Sequence, residues 1–260
     1  MVRAASDGSQ GGALHVLLVG NSYTRFNLMP LLLKRLADSA PGPRVAVDSL
    51  ARGGYTLRRH LRRSDAVRRI ASGSYSHVVL QGHSLRAIDR ESELEAAVAR
   101  LQAVIKASGA ETVLYETWAR QPGARFYRER PEWFGPEDMQ AQIGQTYRRL
   151  ALSYDARLAP VGTAFVAALE RLPDLLLYRS DGAHPSMQGS YLAASVLYGA
   201  ITGEDPRRAS YCPHGMPKGV AARLRALAAA VLKEDARSMA TVAQRRPERT
   251  AEEAVLLKVW

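Results

Sequence analysis

Five short apolar runs, each followed by a stretch of helical period, leave this 260-residue chain few ways to fold. Val16 to Val19, Val45 to Leu50, His77 to Leu80, Thr112 to Thr117 and Leu158 to Val161 have the length and composition of strands covered on both faces. Between them, Pro30 to Leu36 reads as a helix opened by its proline, and Leu57 and Leu61 stand one helical turn apart. Ser64 can cap a second short helix carrying Val67 and Ile70. Leu94, Val98, Leu101 and Ile105 recur at helical spacing, with Asp89 or Ser92 as caps and Gly109 at the stop. Helices over Gln140 to Tyr154, Phe165 to Leu172 and Tyr191 to Ile201 follow, the last closed by Gly203, and the segments 217–234 and 250–258 read as surface helices. Parallel strands need crossover helices, so the alternation predicts a three-layer α/β/α domain, doubly wound and flavodoxin-like, around a mainly parallel five-stranded sheet. Pro160 puts the fifth strand at an edge.

Length supports a single core, expected over residues 14–235, with a flexible start at 1–13 and an extension carrying a short helix at 236–260. Apolar residues at 47% and charged residues at 23% exclude a disordered or fibrous chain. No apolar run reaches the roughly 18 residues of a membrane span, and the first thirteen residues lack the apolar centre of a signal peptide. A cytoplasmic protein with no membrane partner is the expectation. The lone Cys212 excludes an internal disulfide. Cys212 and His214 lack a second pair of ligands, so no metal is expected.

The formal charge of +11 invites a nucleic-acid reading, centred on Arg58, Arg59, Arg62, Arg63, Arg68 and Arg69. No aromatic residues interleave with these arginines, and the excess is spread over the whole chain. The cluster therefore reads as two solvated helix faces, and no nucleic-acid partner is expected.

Chemistry gathers at the ends of the runs. The first stops at Gly20-Asn21-Ser22, the second leads to Gly53-Gly54, the third runs into Gln81-Gly82-His83-Ser84, and a late loop holds Asp181 and His184 three positions apart. A serine hydroxyl needs a base, and a histidine serves when an acidic group fixes its tautomer. Paired glycines after a strand allow a tight turn with open N–H groups. The loop from Trp118 to Pro136 adds Trp118, Tyr127 and Trp133 among arginines, a setting suited to a sugar ring or an acidic group.

The order of GNS, RGG and the Asp-x-x-His of SDGAHPS resembles the SGNH superfamily of GDSL-type serine hydrolases, over about residues 14–203. Within it, GNSYT, VVLQ and DGAHPSMQGSYLAA are similar to an uncharacterised bacterial branch. The resemblance implies Ser22 as nucleophile, Asp181 and His184 as its catalytic partners, and the N–H groups of Ser22 and Gly54, or Gly53, as an oxyanion hole. The family's Gly-x-Asn-Asp is replaced here, so Gln81 or His83 would supply the third donor. Asn21, Trp118, Tyr127 and Trp133 are the expected substrate contacts. No cofactor is implied. The expected activity is hydrolysis of a small acyl ester, acetyl first among them, on a small molecule such as an acylated sugar. A non-catalytic binding module on the same fold, or an acyltransferase using the same serine, are the alternatives.

Overall fold

β1 (Leu14–Gly20) is an interior strand, buried from Val16 onward because helices cover both faces of the sheet. The structure, a computed structural model, describes residues 13–130, 132 and 135–244. β1 pairs in parallel with β2 (Val45–Ala51) and with β3 (His77–Gln81). β4 (Glu111–Tyr115) and β5 (Arg157–Ala159) complete a parallel sheet of order β2-β1-β3-β4-β5. This is the expected three-layer α/β/α, flavodoxin-like arrangement. The chain turns back on itself between β1 and β3, and the crevice at such a reversal, outside the carboxyl ends of the strands, is where open α/β sheets bind ligands.

Alternation along β1 divides the core. Val16 and Leu18 join one cluster, and Leu17 and Val19 join the other. The first cluster lies under α2 (Met29–Asp38), α9 (Val161–Arg171), α10 (Met187–Thr202) and α11 (Lys218–Gln244). The second lies under α3 (Leu57–Arg63), α4 (Ala66–Ala71), α6 (Glu91–Ala107) and α8 (Pro136–Ser153). Three one-turn helices, α1 (Ser22–Arg25), α5 (Arg86–Asp89) and α7 (Arg125–Glu129), sit in the connections. Proline lies in the first turn of α2 and of α8, where its missing N–H costs nothing. Gly203 ends α10 in the left-handed region, with φ 73°.

Several boundaries differ from expectation. Neither Asp89 nor Ser92 caps α6: Asp89 ends α5 and pairs with Arg130 at 2.6 Å, Ser92 lies inside the helix, and Arg90 holds the cap position. A helix as short as α5 leaves no periodicity to read. Ser64 does meet the first turn of α4, accepting from the Ala66 N–H at 3.2 Å. Pro160 stands just beyond β5 as the cap of α9, and β5 is the edge strand. α11 continues to Gln244 rather than stopping at 234. The segment 250–258 and residues 1–12 lie outside the described residues. No helix among the described residues is long and apolar enough to cross a membrane. Cys212 Sγ donates to the Met216 carbonyl at 3.1 Å.

Candidate active site

Ser22 is the first residue of α1, directly past the carboxyl end of β1. Asn21 shapes the turn that presents it. Its Oδ1 accepts from the Tyr23 N–H at 3.1 Å, its backbone N–H donates to Gln81 Oε1 at 2.8 Å, and its Nδ2 donates to the Tyr55 carbonyl at 3.1 Å. Beneath the turn, His60 Nε2 lies 2.7 Å from the Gly20 carbonyl. A carbonyl only accepts, so that nitrogen carries the proton. Burial lowers the His60 pKa and keeps the ring neutral.

The loop after Tyr178 brings the acid and base to this turn. His184 Nε2 lies 3.0 Å from Ser22 Oγ, and His184 Nδ1 lies 2.6 Å from Asp181 Oδ2. The other Asp181 oxygen accepts from the backbone N–H groups of Ala183 and His184, both at 2.9 Å. Partial burial pushes the Asp181 carboxyl up, but the His184 ring and the two N–H donors outweigh it and bring the pKa down to about 2. An ionised Asp181 can only accept, which assigns the Nδ1 proton to His184 and turns Nε2 toward the serine hydroxyl. Ser22, His184 and Asp181 thus form one hydrogen-bonded chain, although 162 residues separate the serine from the histidine.

Two devices hold that loop in place. Asn27 sits in the left-handed region at φ 53°, with Nδ2 3.0 Å from the Pro185 carbonyl, 2.8 Å from the Ser186 carbonyl and 2.8 Å from Ser190 Oγ. Trp118 is fully buried and stacked between Tyr23 (4.1 Å between ring centroids) and Phe165 (4.3 Å), and its Nε1 donates to the Ala183 carbonyl at 2.9 Å. Trp118 therefore supports the loop and is closed to substrate, which corrects the expectation drawn from the sequence. Behind it, the fully buried Glu116 accepts from Thr163 Oγ1 at 3.1 Å and from Gln140, whose Oε1 in turn accepts from the Ala119 N–H at 2.8 Å. Burial pushes the Glu116 pKa up to about 7, against Arg148 and these hydrogen bonds.

Other expected contacts also move. Asn21 is 3% exposed with its polar groups engaged, so it shapes the turn and does not meet substrate. Gln81 is 1% exposed; its Oε1 accepts from Asn21 and Thr24 and its Nε2 donates to the Gly82 carbonyl, so its amide is engaged inside the turn. Tyr127 is half-buried and spends its hydroxyl on the Arg120 carbonyl at 2.8 Å. Trp133 lies outside the described residues. His83 is half-buried, with Nδ1 unpartnered among the described residues. Gly54, at φ 68°, occupies a turn closed by the Tyr55 N–H on the Arg52 carbonyl, with open space on the side where a Cβ would stand; Gly53 is exposed beside it.

Sequence reasoning did not bring Tyr23, Ser84 and Arg120 together. Arg120 Nη1 donates to the Tyr23 hydroxyl and Nη2 to Ser84 Oγ at 3.2 Å. Tyr23 also sets its ring edge-on to His184, 5.7 Å between centroids. The adjacency of Tyr23 to Ser22 and the place of Ser84 at the end of the third apolar run were the sequence signals for this group.

No profile of a known protein family matches the chain, and no curated protein matches it. Solved structures do. A provisionally assigned SGNH hydrolase from Slackia heliotrinireducens is 32% identical, and the match covers 73% of this chain and 99% of that one with a TM-score of 0.62. The chain belongs to the SGNH hydrolases. A DUF4886 family protein from Bacteroides uniformis, 18% identical over 85% of this SGNH hydrolase and 95% of its own length, shares the fold with a TM-score of 0.73. So does an acetylxylan esterase from Geobacillus stearothermophilus, 16% identical over 74% and 94% with a TM-score of 0.54.

Proposed function

We propose that the protein is a serine esterase that cleaves a small acyl ester, such as an acetyl ester, through an acyl-enzyme on Ser22. The observation that carries this reading is the unbroken hydrogen-bond chain from Ser22 Oγ through His184 to Asp181 at the carboxyl edge of the sheet. Ser22 Oγ attacks the carbonyl carbon while its proton passes to His184 Nε2. The imidazolium so formed keeps its Nδ1 proton on the ionised Asp181. The tetrahedral oxyanion is held by the N–H of Ser22, which as the first helical residue has no intrahelical acceptor, and by the N–H of Gly54. His83 is the remaining side chain of the third segment with a nitrogen to offer. Collapse expels the alcohol, which takes the proton from His184, and water deprotonated by the same nitrogen releases the acid from Ser22.

The acetyl group is supported by the likeness to an acetylxylan esterase. With Trp118 withdrawn into the core, stacking of a sugar ring on that indole is no longer part of the reading. The test is hydrolysis of p-nitrophenyl acetate by wild type and by Ser22→Ala, with an organophosphate to label the nucleophile. Equal rates for the two proteins, with no label on Ser22, would remove the proposal.

A further inference from the structure

The arginines of α3, which the proposed chemistry does not use, line a cleft that opens beside the candidate oxyanion turn. Arg58, Arg59, Arg62 and Arg63 of α3, together with Arg86, border a hollow of about 440 Å³ that reaches Gly54. Its one acidic neighbour is Glu93, which lies 3.0 Å from Arg58 and 3.8 Å from Arg86. Among the described residues no carboxylate pairs with Arg59, Arg62 or Arg63. Four positive charges in the hollow are left without a counter-charge.

The positive field extends to the turn itself. Arg59 stacks over the Tyr55 ring at 4.4 Å and Arg52 approaches the same ring at 5.6 Å. A hydrogen bond from Arg52, with the nearby charges of Arg52, Arg59 and Arg63, lowers the Tyr55 pKa. The Tyr55 carbonyl accepts from Asn21, the residue before Ser22, so the rim of the cleft is one hydrogen bond from the turn that carries the serine. Like charges crowded this way repel, and a solvated helix face gains nothing by facing them into one hollow.

We propose that this cleft binds a phosphate group carried by the ester substrate, placing the scissile carbonyl at Ser22 and Gly54. The inference rests on the serine esterase reading above and adds the substrate class to it. A phosphate monoester brings about two negative charges and three acceptor oxygens, which planar guanidinium forks match better than a single carboxylate would. The binding energy of this remote group then serves to orient the reacting one.

The experiment compares release of acetate from an acetylated hexose 6-phosphate and from the same acetylated hexose without phosphate, with organophosphate labelling of Ser22 in parallel. The expected result is a kcat/KM advantage of about tenfold or more for the phosphorylated ester, the worth of one or two charge-assisted hydrogen bonds. That advantage shrinks as salt is raised and collapses in Arg59→Gln, Arg62→Gln and Arg63→Gln. It survives in Arg68→Gln, whose side chain pairs with Asp65 at 3.0 Å outside the cleft. Equal turnover of the two esters overturns the phosphate site and leaves the esterase standing. So does labelling of Ser22 with neither ester turned over, since the hexose phosphate is then no substrate. Absence of both label and turnover overturns the esterase and the phosphate site together. Retention of duplex DNA through the same arginines, with no advantage for the phosphorylated ester, overturns the inference in favour of a nucleic-acid surface.

Discussion

Asn27 offers the sharpest separation of a hydrogen-bonding role from a backbone role. Its side-chain amide has two hydrogens and three acceptors within 3.0 Å, on Pro185, Ser186 and Ser190, so two full bonds form at any moment. Two such bonds are worth about 2 kcal/mol net, at roughly 1 kcal/mol each. An alanine at φ 53° adds a left-handed penalty of about 1 kcal/mol that glycine escapes. Asn27→Ala is therefore expected to lose about 3 kcal/mol of stability and Asn27→Gly about 2 kcal/mol, read from urea unfolding midpoints. Both free the loop that carries His184 and Asp181, and a misplacement of about 1 Å there costs up to about 10²-fold in turnover of p-nitrophenyl acetate. The reasoning is refuted if all three proteins unfold at the same midpoint. It is equally refuted if the alanine variant is destabilised but hydrolyses the ester at the wild-type rate, because the loop would then owe its position to something other than Asn27.

Trp118→Phe keeps the ring between Tyr23 and Phe165 but removes the donor to Ala183; a thermal melt is expected to show a loss of about 1 kcal/mol, with a fall in kcat and little change in KM. Asp181→Asn removes the acceptor that fixes the His184 tautomer and is expected to lower kcat by about 10³–10⁴-fold. Because the wild-type carboxyl has its pKa at about 2, Asp181 should add no inflection to the activity profile above a pH of about 4. Glu116 works the other way. Its folded pKa is raised from 4.5 to about 7, so its contribution to stability is fully present below its unfolded value and is lost as pH rises through 7. The unfolding free energy should decline between the unfolded value of 4.5 and about 7 by up to about 3 kcal/mol, and Glu116→Gln, which keeps an acceptor for Thr163, should flatten the decline.

The sheet was legible because its strands are short, apolar and bounded by turn residues, and because the helical segments between them dictate parallel pairing. Ser22, Asp181 and His184 could be singled out because the order of GNS, RGG and the Asp-x-x-His loop resembles the SGNH family, and the fold brings them within hydrogen-bond reach. What the sequence hid was side-chain direction. Trp118 lies in an aromatic and arginine-rich loop that suggests an open platform, yet its indole turns inward and stacks in the core. Gln81 has the right amide for an oxyanion hole, but as the last residue of β3 it is buried and turns its oxygen to the Asn21 N–H before Ser22. The α3 arginines look like a solvated face until the position of Gly54 shows what they border. Spacing along a helix fixes which residues share a side, not what stands opposite.

β1 precedes the other strands of the described sheet and lies beside its central strand β3, while His184, which meets Ser22, arrives 162 residues later. A growing chain therefore displays its serine long before anything can deprotonate it. Closing so long a loop is entropically expensive and rewarded only when the late segment docks. The Asn27 clamp and the Trp118 stack are among the contacts that offset this cost, so the docking of the late segment is also what brings His184 to Ser22. On the proposed serine chemistry, a chain in which that segment has not docked would be inert toward esters.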